Sequence, residues 1–184
     1  MEVENTANEG SPHDQRRRSF FKTTLGISNL PASLAQVGSA KNPISWVHGN
    51  NATIVDAQDL EMDAVRGNAR SVRGRSWSTI PLHFAVPSTG LDTSVPMRVS
   101  AVWVRLQAGA GAKIVAMALH DCETTVARID GMELHRQEWG DVRIPLDPPR
   151  EVMRSIGVTL DCQFADVELQ IGISAVGCEF QVLA

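Results

Sequence analysis

The sequence contains no tyrosine, and its aromatic residues are five phenylalanines and four tryptophans. Stacking against a flat ligand therefore falls to tryptophan, with histidine as help, because an indole joins a large apolar face to one polar N–H. Cysteine is scarce as well. Cys122, Cys162 and Cys178 match neither a zinc cluster nor a disulfide-rich scaffold. No apolar run approaches the roughly 18 residues needed to span a bilayer. A basic excess is also missing: the formal net charge is −4, and residues 1–40 carry equal numbers of each sign, so the remainder is acidic by the same amount. Nucleic acid is thus a poor partner, since its binders need a dominant basic face. After residue 41 no stretch shows convincing amphipathic helical periodicity.

What is present is alternation. Ile156-Val158-Leu160-Cys162-Phe164, then Val167-Leu169-Ile171-Ile173, then Cys178-Phe180-Val182 place apolar residues at every second position. A period of two puts one set on each face of a strand, and a strand with one wet face belongs to an antiparallel sheet. Ile80, Leu82, Phe84 and Val86 repeat the pattern, with Pro81 pointing to a strand start or an edge. Val99 to Leu106 mixes both faces and reads as central, with Trp103 in the core. Ala108-Gly109-Ala110-Gly111-Ala112 reads as a hairpin turn, since no Gly-Lys-Ser/Thr follows it to make a phosphate loop. About nine short strands at this spacing predict an all-β antiparallel sandwich over residues 41–184, jelly-roll or immunoglobulin-like.

The N-terminal 40 residues read differently. Residues 1–15 are polar and aperiodic, as in disordered segments. Arg17, Arg18, Phe20, Phe21 and Lys22 then fill the places of a twin-arginine export signal, which this segment resembles. Gly38-Ser39-Ala40 has the small-x-small form cut by signal peptidases. The resemblance implies export to the periplasm or beyond, of a domain already folded in the cytoplasm. The alternative is a basic tail on a cytoplasmic protein.

Candidate chemistry is sparse. His120, Asp121 and Glu123, with Glu133 and His135, form the best acid/base or metal constellation. Yet His-x-His, His-Glu-x-x-His and Cys-x-x-Cys are absent, and no metal or cofactor is expected. Cys162 and Cys178 fall in the inward register, either as two small buried hydrophobes or as a disulfide partnership. The block Asp56, Asp59, Glu61, Asp63 followed by Arg66, Arg70, Arg73, Arg75 reads as a solvated loop whose halves pair with each other. Its functional reading is a site for sulfate, phosphate or uronate groups.

Trp46-Val47-His48-Gly49-Asn50, Trp77 with Ile80-Pro81, and Gly157-Val158-Thr159-Leu160 resemble an uncharacterised family of small bacterial β-sandwich proteins. That resemblance implies the fold and no activity. Three functions follow as expectations. A noncatalytic module binding carbohydrate or an anionic surface ligand would use Trp46, His48, Trp77, Arg73, Arg75 and Trp139, with tryptophans and arginines on one face. A structural protein would self-associate as a homo-oligomer. A small jelly-roll enzyme would gather His120, Asp121 and His135 in one pocket.

Overall fold

The computed structural model describes residues 42–88 and 97–181; the twin-arginine-like segment and Val182 lie outside these. Among the described residues there are eleven strands and one short 3-10 turn, Gly49–Asn51. The strands are β1 (Ile44–His48), β2 (Thr53–Ile54), β3 (Leu60–Arg66), β4 (Ala69–Gly74), β5 (Ser78–Val86) and β6 (Met97–Ala108). They continue with β7 (Ala112–Asp121), β8 (Thr124–Leu134), β9 (Gly140–Val152), β10 (Ile156–Phe164) and β11 (Ile171–Gln181). One sheet has the order β3-β4-β11-β6-β9, with β1 also paired to β11. The other has the order β2-β5-β10-β7-β8, and all pairs are antiparallel.

This order settles the topology. From β4 to β11 the chain changes sheet at every connection except the β7–β8 hairpin. The resulting β4-β11-β6-β9 and β5-β10-β7-β8 sheets form a jelly roll. The glycine-rich turn is consequently not a hairpin: it carries the chain from β6 in one sheet to β7 in the other, with Gly111 at a φ of 92°.

The inward registers build the core. Ile80, Leu82 and Phe84 of β5 and Val158, Leu160, Cys162 and Phe164 of β10 face Val102, Val104 and Leu106 of β6 and Ile171, Ile173, Val176 and Cys178 of β11. Each large side chain so buried stabilises the fold by about 1.5–3 kcal/mol against exposure.

Four expectations need correction. The acid-then-base block is not a loop but the β3–β4 hairpin, closed by Gly67 at a φ of 64°. Its halves do pair: Arg70 Nε donates to Asp63 at 2.7 Å and Arg75 Nε to Glu61 at 3.0 Å. The three C-terminal alternating segments are two strands, and Val167 and Leu169 lie in the turn between them. β11 is also buried on both faces, because aromatic side chains and a partly buried ion pair cover its outer side. β9 runs through Asp147-Pro148-Pro149. These residues fall where the register shifts, between the Ala101–Pro145 and Val99–Arg150 pairs, so no ladder hydrogen bond is asked of proline. Finally, Trp103 points out of the core, onto the outer face.

Candidate functional site

That outer face is ordered by register into rows crossing the strands. One row runs Trp46 (β1), Gly177 (β11), Trp103 (β6) and Arg143 (β9). The Trp46 indole lies on Gly177, where a Cβ would meet its ring at 2.7 Å. It meets Trp103 with ring centroids 6.5 Å apart at 55°. Beside this row sits Glu179, only 8% exposed. Its carboxylate accepts from Arg143 Nε at 2.9 Å and Nη2 at 3.0 Å, from Trp103 Nε1 at 2.9 Å, from Ser100 Oγ at 3.1 Å and from Asn42 Nδ2 at 3.3 Å. The Arg143 bonds outweigh the opposing effect of burial and, with the other donors, hold this carboxyl down at about 2. A charge fixed so firmly is a structural anchor for Trp103.

The next row is His48, Ala175, Arg105 and Asp141, and beyond it come Ser71, Gly172 and Gln107. Trp139, from the loop before β9, lies on Gly172 much as Trp46 lies on Gly177: a Cβ there would come within 2.9 Å of the indole. Trp139 remains 40% exposed and Trp46 42% exposed. The two supporting glycines are five positions apart along β11, roughly 16 Å at about 3.3 Å per residue. Trp139 forms a wall of two depressions, of ≈ 280 and ≈ 440 Å³. Ser71, Gln107 and Gln170 line both, and Arg66, Asn68, Arg105 and Ser174 line the larger. Ser174 is the extra residue of a β-bulge between Ile173 and Ala175. Bulges re-aim side chains in this way near sites. Its Oγ is buried and has no hydrogen-bond partner among the described residues.

The other sequence candidates are dispersed. Arg73 shares this face and pairs loosely with Glu168 at 3.8 Å, whereas Arg75 is held at the hairpin by Asp59 and Glu61. Trp77 is 81% exposed and held at a φ of 63°, but it lies toward the other sheet, in a depression with Lys113, Glu133, His135 and Gln163.

His120, Asp121 and His135 do not converge. His120 pairs with Thr125 at one end of the β7–β8 hairpin, while His135 follows Leu134 at the other. The His120 ring bonds Thr159 and Thr125 at 3.0 and 3.1 Å, and Thr159 also meets His83 at 3.0 Å. Burial, then the charges of His83 and Arg128, lower the pKa of His120. Asp121 accepts three backbone N–H bonds, from Met153, Arg154 and Ser155. Burial alone would raise its pKa, but these bonds win and lower it. The carboxylate is therefore a clasp on the β9–β10 turn. Glu123 is exposed, and among the described residues no three His, Cys, Asp or Glu side chains gather as metal ligands.

Cys162 and Cys178 are free, buried thiols contributed by opposite sheets, and Cys122 is exposed. Burial raises Cys178 to about 12 and Cys162 further still. A thiol reagent at pH 8 is expected to modify only Cys122 in the native chain and all three cysteines after denaturation without reductant. Modification of one cysteine both before and after denaturation would show a disulfide.

Of the sequence candidates, Trp46, His48, Trp139 and Arg73 lie on this face. Gly172 and Gly177 were a further signal, since a glycine inside an apolar strand marks a close approach. Ser71, Gln107, Gln170 and Ser174 carried no distinguishing mark.

No curated protein matches the chain. Among solved structures it is similar to a low-affinity xylan binding module, CBM86, from Roseburia intestinalis. The two are 9% identical over 76% of this chain and 96% of that one, with a TM-score of 0.44. It is similar to a family 29 carbohydrate binding module at 11% identity, over 74% and 91% of the two chains, with a TM-score of 0.45. A third is TmCBM61 in complex with β-1,4-galactotriose, at 17% identity over 75% and 86%, with a TM-score of 0.38. At such identities the likeness concerns the fold alone. Residues 41–182 match the model of a family of unknown function, DUF6623, and the chain belongs to that family.

Proposed function

We infer that this chain is an exported, noncatalytic glycan-binding module whose ligand lies across the outer face of the β4-β11-β6-β9 sheet. The observation that carries this reading is Trp139: an exposed indole bedded on Gly172, with amide and hydroxyl side chains on either side. A sugar ring offers an apolar C–H face to such an indole and hydroxyls to its flanks. Packing on Gly172 limits the ring's freedom before binding, so little order need be imposed by the ligand. Trp46 supplies a second indole on the same face, at a distance suited to a chain of several sugar rings rather than a monosaccharide. The twin-arginine-like segment at Arg17 and Arg18 supports export.

Affinity electrophoresis through a panel of polysaccharides tests the reading, with circular dichroism to check folding. Trp139→Ala is expected to weaken retardation by about 30-fold, as loss of a central anchor worth about 2 kcal/mol implies. Trp77→Ala should migrate as the parent does. Unchanged retardation of Trp139→Ala would overturn the assignment of this face.

A further inference from the structure

We propose that the glycan taken by this face is acidic, with a sugar carboxylate held between Arg66 and Arg105 beside Trp139; the proposal rests on the glycan reading above. Both arginines line the ≈ 440 Å³ depression, and no aspartate or glutamate lines it. On a chain with a formal net charge of −4, this local balance runs against the whole.

Their hydrogen-bonding capacity is open. Arg66, at the end of β3, is exposed, and its guanidinium has no ion-pair or hydrogen-bond partner among the described residues. Arg105 engages Asp141 through Nη1 only, at 3.2 and 3.3 Å, so Nε and Nη2 are uncommitted among the described residues. The contrast lies within the same molecule. Arg143 is bound through two nitrogens by Glu179, and Arg128 is shared by Asp130 and Asp161. A guanidinium fork matches the two oxygens of a carboxylate, which a point-like ammonium does not.

Ser174 supplies an independent observation. At 7% exposed, it lines the same depression with an Oγ that no described residue satisfies. A buried hydroxyl left unpaired is destabilising, and a ligand oxygen reaching the floor of the depression would supply its partner. The Trp139 indole then receives the ring, the arginines its carboxylate, and Ser174 a hydroxyl or carboxylate oxygen.

The test compares polygalacturonate with its fully methyl-esterified form, which keeps the backbone and removes the charge. Alginate, neutral glycans and dextran sulfate complete the panel. At low ionic strength the parent chain should bind polygalacturonate or alginate at least about 10-fold more tightly than the neutral glycans, and lose that margin as salt screens the charges. The Arg66→Ala/Arg105→Ala double variant should lose the preference, and Trp139→Ala should weaken every glycan.

Equal or tighter binding of the esterified form, or a preference retained by the double variant, overturns the proposal. With Trp139 still required for the neutral glycans, the glycan reading would stand. Tighter binding of dextran sulfate than of either polyuronate overturns the assignment to a carboxylate. Binding of no glycan, or glycan binding indifferent to Trp139, brings down the glycan reading itself and this proposal with it.

Discussion

Gly49→Ala is expected to destabilise the domain by about 3 kcal/mol or more, the upper end of what overpacking costs. For a domain of this size that lowers Tm by about 10 °C. Gly49 is buried in the 3-10 turn that follows β1, against the backbone of β11. A Cβ there would overlap the Ile173 carbonyl oxygen and crowd the Cα of Ser174. Backbone cannot rotate aside as the end of a flexible side chain can.

The position matters because β11 changes partners there. On this edge it pairs with β4 through Ile171–Ile173 and with β1 through Ala175–Glu179. The bulge at Ser174 lies between, and Gly49 closes over it. Thermal unfolding followed by circular dichroism measures the effect, and a loss below about 1 kcal/mol would show that the turn does not pack as described. Because the same bulge carries Ser174, any Gly49→Ala protein that folds should also bind glycan less well.

Glu179→Leu is expected to cost about 3 kcal/mol. It strands Arg143 and leaves the Trp103 indole N–H without its acceptor, and removal of one partner from a buried pair is costly even where the pair itself adds little. Arg143 is 42% exposed at its side chain, which lets water take up part of the loss and keeps the figure at the low end.

The same carboxylate ties stability to pH. Its folded pKa of about 2 lies below the ordinary 4.5, so the folded state holds fewer protons than the unfolded chain in between. Its contribution is fully present above about pH 4.5 and is lost as pH falls towards 2, by about 2–3 kcal/mol. Urea unfolding at pH 7 and pH 3 should show the parent losing stability and Glu179→Leu losing less over the same interval. Parallel losses in the two proteins would place the acid sensitivity elsewhere.

How much of this was legible depends on where each strand lies. β5 and β10 sit in one sheet with a core face and a wetter face, so their alternation is plain in Ile80-Leu82-Phe84 and Val158-Leu160-Cys162. β3 and β4 form an edge hairpin whose partner contacts are largely ionic, and charges at both registers conceal a period of two. Trp103 was read as core because the Val102-Trp103-Val104 run is apolar at every position. Val102 and Val104 point into the core, so the strand's alternation turns the indole outward, where Glu179, distant in sequence, accepts its N–H.

The candidate site was legible in part for the same reason. Trp46, Trp77 and Trp139 all stood outside the clear core register, but nothing local says which of two sheets a loop tryptophan will join. Trp139 reaches the β11 face by resting on Gly172, and that contact exists only once β11 and β9 share a sheet.

The most direct test of the proposed glycan-binding face is a two-dimensional proton–nitrogen NMR titration read at the four indole N–H signals, each assigned by Trp→Phe substitution. With a polyuronate oligosaccharide as ligand, the Trp139 signal should shift and saturate, with Trp46 following as the oligosaccharide lengthens and Trp77 unmoved. A saturating shift at Trp77 with Trp139 still would contradict the account, and would move the ligand to the Lys113–Glu133 side of the sandwich.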